Sequence, residues 1–105
     1  MRKILCAANH YDDGKEHTHM PRNISSGFVV CGRRHHNCIH SFALMVGFPY
    51  SEESLELMRT EEQGFLTTDD YFVTREEAML IAREANQFVE EVSDKAKQLY
   101  SENVW

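Results

Sequence analysis

The sequence predicts an α+β fold, with a small antiparallel sheet and two main helices in a single domain. Short runs rich in β-branched and aromatic residues are separated by Gly, Asn and Asp, which is typical of strands joined by turns. Two longer segments repeat apolar residues at spacings of three and four, which indicates amphipathic helices. The chain has 105 residues, the length expected of one domain.

The first half of the chain predicts two strands and a helix. Residues 2–11 (RKILCAANHY) predict a strand, and Asp12–Gly14 is a turn signal that favours a hairpin. The polar stretch that follows predicts an edge strand or a loop. Residues 27–31 (GFVVC) predict the second strand. From Arg34 to Val46 the apolar spacing predicts the first main helix, which Gly47 ends.

The second half predicts a short helix, two strands and the second main helix. Residues 51–58 indicate the short helix, and residues 64–73 contain two β-rich runs around a Thr-Asp-Asp turn. A capping box that begins at Thr74 predicts the start of the second main helix. Residues 88–99 are expected to continue as helix. The terminal segment, residues 100–105, has an aromatic residue at each end, and burial against a neighbouring subunit would explain the final Trp.

Composition and charge exclude several classes of function. The net charge is −6, and residues 52–105 hold fourteen acidic against five basic residues, so duplex nucleic acid is not an expected partner. No apolar run approaches the length of a membrane span, so no membrane partner is expected. Three cysteines, an odd number, favour reduced thiols over a disulfide framework. The expected location is therefore the cytoplasm.

The stretch GFVVCGRRHHNC, residues 27–38, gathers cationic and titratable side chains after a strand and a glycine. Backbone N–H groups and the positive end of a helix dipole point outward at such a helix start. Arg33 and Arg34 would complete an anion site there, because a guanidinium binds phosphate with two parallel hydrogen bonds. His35 and Asn37 could bond ribose hydroxyls. The alternative is that the arginines are solvated and the histidines merely pack.

The second main helix adds two more arginines and two nearby aromatic residues. Arg75 lies in its first turn and Arg83 two turns further on, so both can serve one side of the helix. Phe65 or Phe72 could stack on a base, as aromatic side chains do on flat heterocycles. The alternative is that both phenylalanines belong to the core.

Metal binding and catalysis are the competing chemistries. Several potential metal ligands cluster in the first half of the chain: Cys31, His35, His36, Cys38 and His40, with His17 and His19 before them. His36 and His40 stand at i, i+4, but no second Cys or His pair follows to complete a zinc site, so neither metal nor cofactor is expected. Cys31 or Cys38 could act as a nucleophile. His35 and His36 could serve as acid and base of a phosphodiesterase.

Three stretches in order resemble the Thoeris anti-defence protein 1 family, a group of small phage proteins. They are RHH at residues 34–36, the pattern QGF-T-D--FV-R-EA--IA--A-Q from Gln63 to Gln87, and a terminal SE-(apolar)W from Ser101 to Trp105. The resemblance implies an α+β subunit with pockets at the interfaces of a homodimer or homohexamer. It also implies a sponge that binds cyclic ADP-ribose isomers made by bacterial TIR enzymes, or related cyclic oligonucleotides, without cleaving them.

The sequence therefore favours a non-enzymatic protein in which residues 1–105 form one ligand-binding domain, acting in the cytoplasm of a bacterial host. Two arginines, one from each helix start, would bind the diphosphate, and one phenylalanine would stack on adenine. The candidate ligand-binding residues are Arg33, Arg34, His35, Asn37, Phe65, Phe72, Arg75 and Arg83. The alternatives are a small phosphodiesterase acting on a cyclic nucleotide signal and a regulatory or structural oligomer.

Overall fold

Four strands and three helices form in the computed structural model, which describes all residues from 1 to 105. Their bounds are β1 Ile4–Tyr11, β2 Phe28–Gly32, α1 His35–Val46, α2 Glu52–Met58, β3 Glu62–Thr67, β4 Phe72–Thr74 and α3 Arg75–Glu84, followed by a short 3-10 turn at Ser101–Asn103. The strands form one antiparallel sheet in the order β2-β1-β3-β4. The predicted α+β fold is thus confirmed. None of the helices is both long and apolar enough to cross a membrane.

The sheet has one face toward the helices and one toward a long loop. Ala7, Phe65 and Val73 are paired across the three strands and are all buried on the helix side. Because successive side chains of a strand point to opposite faces, Phe72 lies on the other side. The loop of residues 12–27 meets this side at His10, whose Nε2 lies 2.8 Å from the Ser26 oxygen. The loop also lines the free edge of β4, where Asn23 donates to the Phe72 carbonyl at 2.6 Å and accepts from its N–H at 2.8 Å.

The buried side of the first main helix overlaps the one its apolar spacing suggests, since Phe42 is buried and Val46 packs against the core, but Ile39 lies outside it. Its buried residues are His35, Cys38 and Phe42, and the Phe42 ring stacks on Tyr11 with centroids 3.9 Å apart. Gly47 ends the helix with φ of 87°, and its N–H donates to the Ala43 carbonyl at 2.9 Å. The prediction of the helix and its end is confirmed. Several apolar residues on the rest of α1 remain exposed.

The second main helix begins where the capping box predicts but ends earlier than expected. Thr74 accepts from the Glu77 N–H, and Glu77 accepts from the Thr74 N–H. Asn86 then adopts φ of 54°, and the Gln87 N–H reaches back to the Ala82 carbonyl at 3.0 Å. This left-handed residue and its bonds form a Schellman-type helix end. The prediction that residues 88–99 continue as helix is therefore wrong, since most of them are irregular.

The terminal residues fold back onto the helix face of the same chain. Leu99, Ser101 and Val104 are buried there, and the Trp105 ring lies 6.3 Å from the ring of Phe65. Contacts within one chain therefore account for the partial burial of the Trp side chain. A neighbouring subunit, which the sequence suggested, is not needed to explain it. Residues 99–105 are called the C-terminal segment below.

Candidate ligand-binding site

Arg34 occupies the position predicted for it, immediately before the first residue of α1. Its backbone is extended, and its N–H donates to the side-chain oxygen of Asn37 at 3.1 Å, which holds the chain at its entry into the helix. The guanidinium donates to the backbone oxygen of Trp105 at 2.7 Å, and Glu102 lies 3.9 Å away. The side chain of Arg34 thus joins the start of α1 to the C-terminal segment.

Arg75 is the first residue of α3 and contacts the other end of the same segment. It donates to the Leu99 carbonyl at 2.9 Å and to the side-chain oxygen of Gln63 at 2.7 Å. Its guanidinium lies over the ring of Tyr100, 4.9 Å from the centroid. Partial burial lowers the pKa of this arginine, since desolvation disfavours its charged form. The structure therefore brings Arg34 and Arg75 to one short stretch of chain.

The other two candidate arginines lie apart from this pair. Arg83 donates to the carbonyls of Ser93 and Ala96, at 3.2 and 3.3 Å, and its guanidinium lies over the ring of Phe88. It lines a groove of about 580 Å³ beside α3. Arg33 is exposed and forms no side-chain hydrogen bond or salt bridge. Of the four arginines, only Arg34 and Arg75 share a contact surface.

His35 points into the protein. Its Nε2 lies 2.7 Å from the Gly64 carbonyl, which can only accept, so Nε2 carries the proton. Its ring meets Phe65 edge-on at 5.0 Å. Desolvation lowers the pKa of His35, with a smaller contribution from the Arg75 charge. The neighbouring His36 is exposed and projects about 100° away around the helix, so the two imidazoles do not face one point.

The two candidate phenylalanines are both core residues, on opposite faces of the sheet. Phe65 is completely buried, and Phe72 is 6% exposed and lies 5.8 Å from the ring of His10. Neither ring presents an open face to solvent in this structure. Base stacking by Phe65 or Phe72 stays a prediction. The aromatic side chains that do reach the surface beside the paired arginines are Tyr100 and Trp105, which are partly exposed. Of the other candidates, Asn37 is exposed and lies beside Arg34.

A polar network that the sequence did not suggest extends inward from Arg75. Gln63, held by Arg75, donates to Glu61 at 3.1 Å, and the Tyr11 hydroxyl donates to the same carboxylate. Burial and the bond to Glu61 raise the pKa of Tyr11. Asn9 donates to Glu61 at 3.3 Å, while its own side-chain oxygen is buried without a partner. The available sequence signal for this network was Asn9, a polar residue directly after Ala7 and Ala8 in β1.

Three free thiols lie near the junction of β1, β2 and α1. The interaction between the neighbouring Cys6 and Cys31 thiols lowers the pKa of Cys31 to about 7 and raises that of Cys6. Burial raises the pKa of Cys38 to about 11. No group of three or more His, Cys, Asp or Glu side chains is arranged to hold a metal ion.

No curated protein and no solved structure matches the chain significantly. One family model does match, that of the phage T4 y16D protein, and the match runs over residues 3–105. This description names a phage protein and specifies neither ligand nor activity. Because the match covers nearly the whole chain, the protein belongs to the phage T4 y16D protein family.

Proposed function

We propose that this phage protein binds a cyclic ADP-ribose isomer of the TIR/Thoeris immune system and sequesters it uncleaved in the host cytoplasm. The observation that carries the proposal is the pair of arginines, Arg34 and Arg75, at two helix starts that meet one segment. A diphosphate bears two negative charges and several acceptor oxygens. Two guanidinium groups, each near the positive end of a helix dipole, suit such a ligand.

The start of α1 is the stronger anion pole of the two. Its first turn contains no acidic residue, whereas the first turn of α3 contains Glu76 and Glu77. Arg33 adds an exposed cation beside Arg34. We therefore assign the diphosphate mainly to Arg33 and Arg34, with Arg75 binding from the opposite side.

In this structure, oxygen atoms of the C-terminal segment occupy the positions beside the two arginines that ligand oxygens would take. The backbone oxygens of Leu99 and Trp105 accept from the two arginines, and Glu102 is the nearest carboxylate to Arg34. Ligand oxygens would replace these acceptors when the segment shifts. The same shift would move Trp105 away and expose the ring of Phe65. Adenine would then stack on Phe65, Trp105 or Tyr100, while Asn37 would bond a ribose hydroxyl. Related cyclic oligonucleotides carry the same chemical groups.

A second candidate function is favoured by the same contacts. Arg34 and Arg75 already have good acceptors within the chain, which is what a purely structural anchor of the C-terminal segment requires. On that hypothesis the protein binds no nucleotide. The two candidates predict different results in one experiment.

The test is to incubate the protein with the signal mixture made by an active TIR enzyme, filter it, heat the retained protein and identify the released compounds by mass spectrometry. An intact cyclic ADP-ribose isomer is the expected product. Retention of no nucleotide would favour the structural anchor. Steady accumulation of a cleaved product would instead show a phosphodiesterase and overturn sequestration.

Titration of variants then locates the site. Removing one partner of a desolvated charge pair costs about 2–5 kcal/mol, so Arg34→Ala should weaken binding about thirtyfold or more. Arg59→Ala is the matched control, because Arg59 is an exposed arginine without a side-chain hydrogen bond or salt bridge. A folded Arg34→Ala protein that binds within about threefold of wild type would place the site elsewhere.

A further inference from the structure

Two of the three free thiols lie on the same face of the sheet, on neighbouring strands. The register of β1 and β2 pairs Ala8 with Cys31. Ala7 is buried on the helix side, and successive side chains of a strand alternate between the faces. Cys6, Ala8 and Cys31 therefore all project from the face opposite the helices. Cys6 and Cys31 are diagonal neighbours on that face, close enough for their side chains to meet.

The two thiols interact, and a small reagent can reach them. The Cys6 thiol lies beside the thiol of Cys31 and the backbone of Gly32. Cys31 is exposed and Cys6 is half-buried. Cys31 is also the last residue but one of β2, a strand at the edge of the sheet with no strand on its outer side. A dissolved oxidant can therefore approach the Cys31 sulfur while a second thiol lies next to it.

The backbone around both cysteines can make the small movement that a disulfide requires. The two Cβ atoms of a disulfide lie about 3.8 Å apart, which is closer than the usual separation of diagonal neighbours. The end of β2 is paired on one side only, so it can shift without breaking a second ladder. The pairing of β1 with β3 changes register between Ile4 and Cys6, and such irregularities bend a strand locally.

We propose that Cys31 and Cys6 form a reversible dithiol–disulfide site that hydrogen peroxide oxidises. The Cys31 thiolate attacks one peroxide oxygen, so an S–O bond forms and the O–O bond breaks. The departing hydroxide takes a proton from solvent and leaves as water, and Cys31 becomes a sulfenic acid. The Cys6 sulfur then attacks the Cys31 sulfur, the S–S bond forms, and the S–O bond breaks. This second hydroxide leaves with the Cys6 proton as water, so two electrons pass from the two thiols to one peroxide.

The electrostatics of the pair assign the two roles. The neighbouring Cys6 thiol lowers the pKa of Cys31 to about 7, so a large fraction of Cys31 is thiolate at neutral pH. The Cys31 thiol and its charge raise the pKa of Cys6, and oxidation of Cys31 removes that influence before Cys6 attacks. Disulfides in a reducing cytoplasm are usually transient and redox-sensing, which fits an accessible pair of this kind. This inference does not depend on the proposed nucleotide ligand.

The third thiol serves as an internal control. Cys38 is buried in α1 on the helix side of the sheet, where it donates to the Arg34 carbonyl at 3.5 Å. Burial raises its pKa to about 11, so it remains a thiol at neutral pH. We expect Cys38 to stay reduced while the other two cysteines are oxidised.

The test treats the reduced full chain with hydrogen peroxide at neutral pH, at an exposure that fully oxidises free glutathione. The remaining thiols are then alkylated with N-ethylmaleimide under denaturing conditions, and the chain is weighed intact and after digestion. The expected product has lost two hydrogen atoms, carries one maleimide on Cys38 and contains a Cys6–Cys31 disulfide. Reduction with dithiothreitol should restore three alkylated cysteines. Three maleimides without reduction, or a disulfide that includes Cys38, overturns the inference.

Variants separate the attacking thiol from the resolving one. Cys6→Ser should still react with peroxide but should stop at a Cys31 sulfenic acid, which dimedone labels. Cys31→Ser should consume peroxide at least about tenfold more slowly, because the remaining thiols are less ionised. Cys38→Ala is the matched control, which keeps both partners and should form the disulfide as the wild type does. With the variants folded by circular dichroism, a Cys31→Ser protein that reacts as fast as wild type contradicts the assignment.

Discussion

Arg75→Ala should destabilise the protein strongly, even without any ligand. The change removes the hydrogen bonds to the Leu99 carbonyl (2.9 Å) and to the Gln63 side chain (2.7 Å), together with the contact over the Tyr100 ring. It also leaves the Gln63 side-chain oxygen without this donor. The C-terminal segment would then lose its attachment to α3.

The size of the effect follows from the two bonds. A hydrogen bond to a charged group contributes about 1.5–3 kcal/mol, and partial exposure of Arg75 places each bond at the lower end of that range. The expected loss in the free energy of unfolding is therefore about 3 kcal/mol. For a domain of this size that corresponds to a fall in Tm of at least about 12 °C.

Two measurements check this prediction. Thermal and urea unfolding give the stability loss, and hydrogen exchange should show faster exchange of the amides of residues 99–105. Arg33→Ala is the control, because this exposed arginine makes no such contact and should change stability by less than about 0.5 kcal/mol. Equal stability of the two variants would refute the view that Arg75 anchors the C-terminal segment.

Three further predictions follow from local geometry. Gly27→Ala should cost several times more stability in urea unfolding than Gly14→Ala, since both have positive φ but only at Gly27 would a Cβ overlap a backbone oxygen; equal costs would contradict this. Desolvation lowers the pKa of His35, so the unfolded chain protonates first and the free energy of unfolding should fall as pH drops from about 7.5 to about 5.5. His35→Gln should flatten this dependence of the free energy of unfolding on pH. An unchanged dependence would show that His35 is not the group responsible. The neighbouring Cys6 thiol lowers the pKa of the exposed Cys31 to about 7, so a thiol reagent at neutral pH should show a fast phase that Cys31→Ser removes. Persistence of that phase would show that another thiol reacts.

The elements predicted well are those that local sequence decides. The capping box at Thr74 marks the start of α3, because its bonds join residues only three apart. Gly47 ends α1 for a similarly local reason, since glycine adopts positive φ at little cost. The positions of Arg34 and Arg75 at helix starts could therefore be predicted from the sequence, and with them the pair on which the proposed site depends.

Other features depended on contacts between distant parts of the chain. Residues 88–99 have a composition that permits helix, but Asn86 closes α3 and the Gln87 side chain bonds the backbone N–H and C=O of Ile4. These bonds span more than eighty residues, so no local pattern signals them. Packing likewise decided which side of α1 is buried, because the Phe42 ring stacks on the Tyr11 ring of β1 while Ile39 stays partly exposed.

By itself, the sequence determined the α+β class, the helix starts and the arginines that occupy them, because short-range hydrogen bonding and backbone preferences set these features. Only the tertiary structure decided what the arginines contact. The return of the C-terminal segment to the helix face gives Arg34 and Arg75 acceptors at Trp105 and Leu99. It also places Trp105 near the ring of Phe65, which the sheet register buries. These outcomes depend on how the whole chain buries its apolar surface, a non-local quantity that no short stretch encodes.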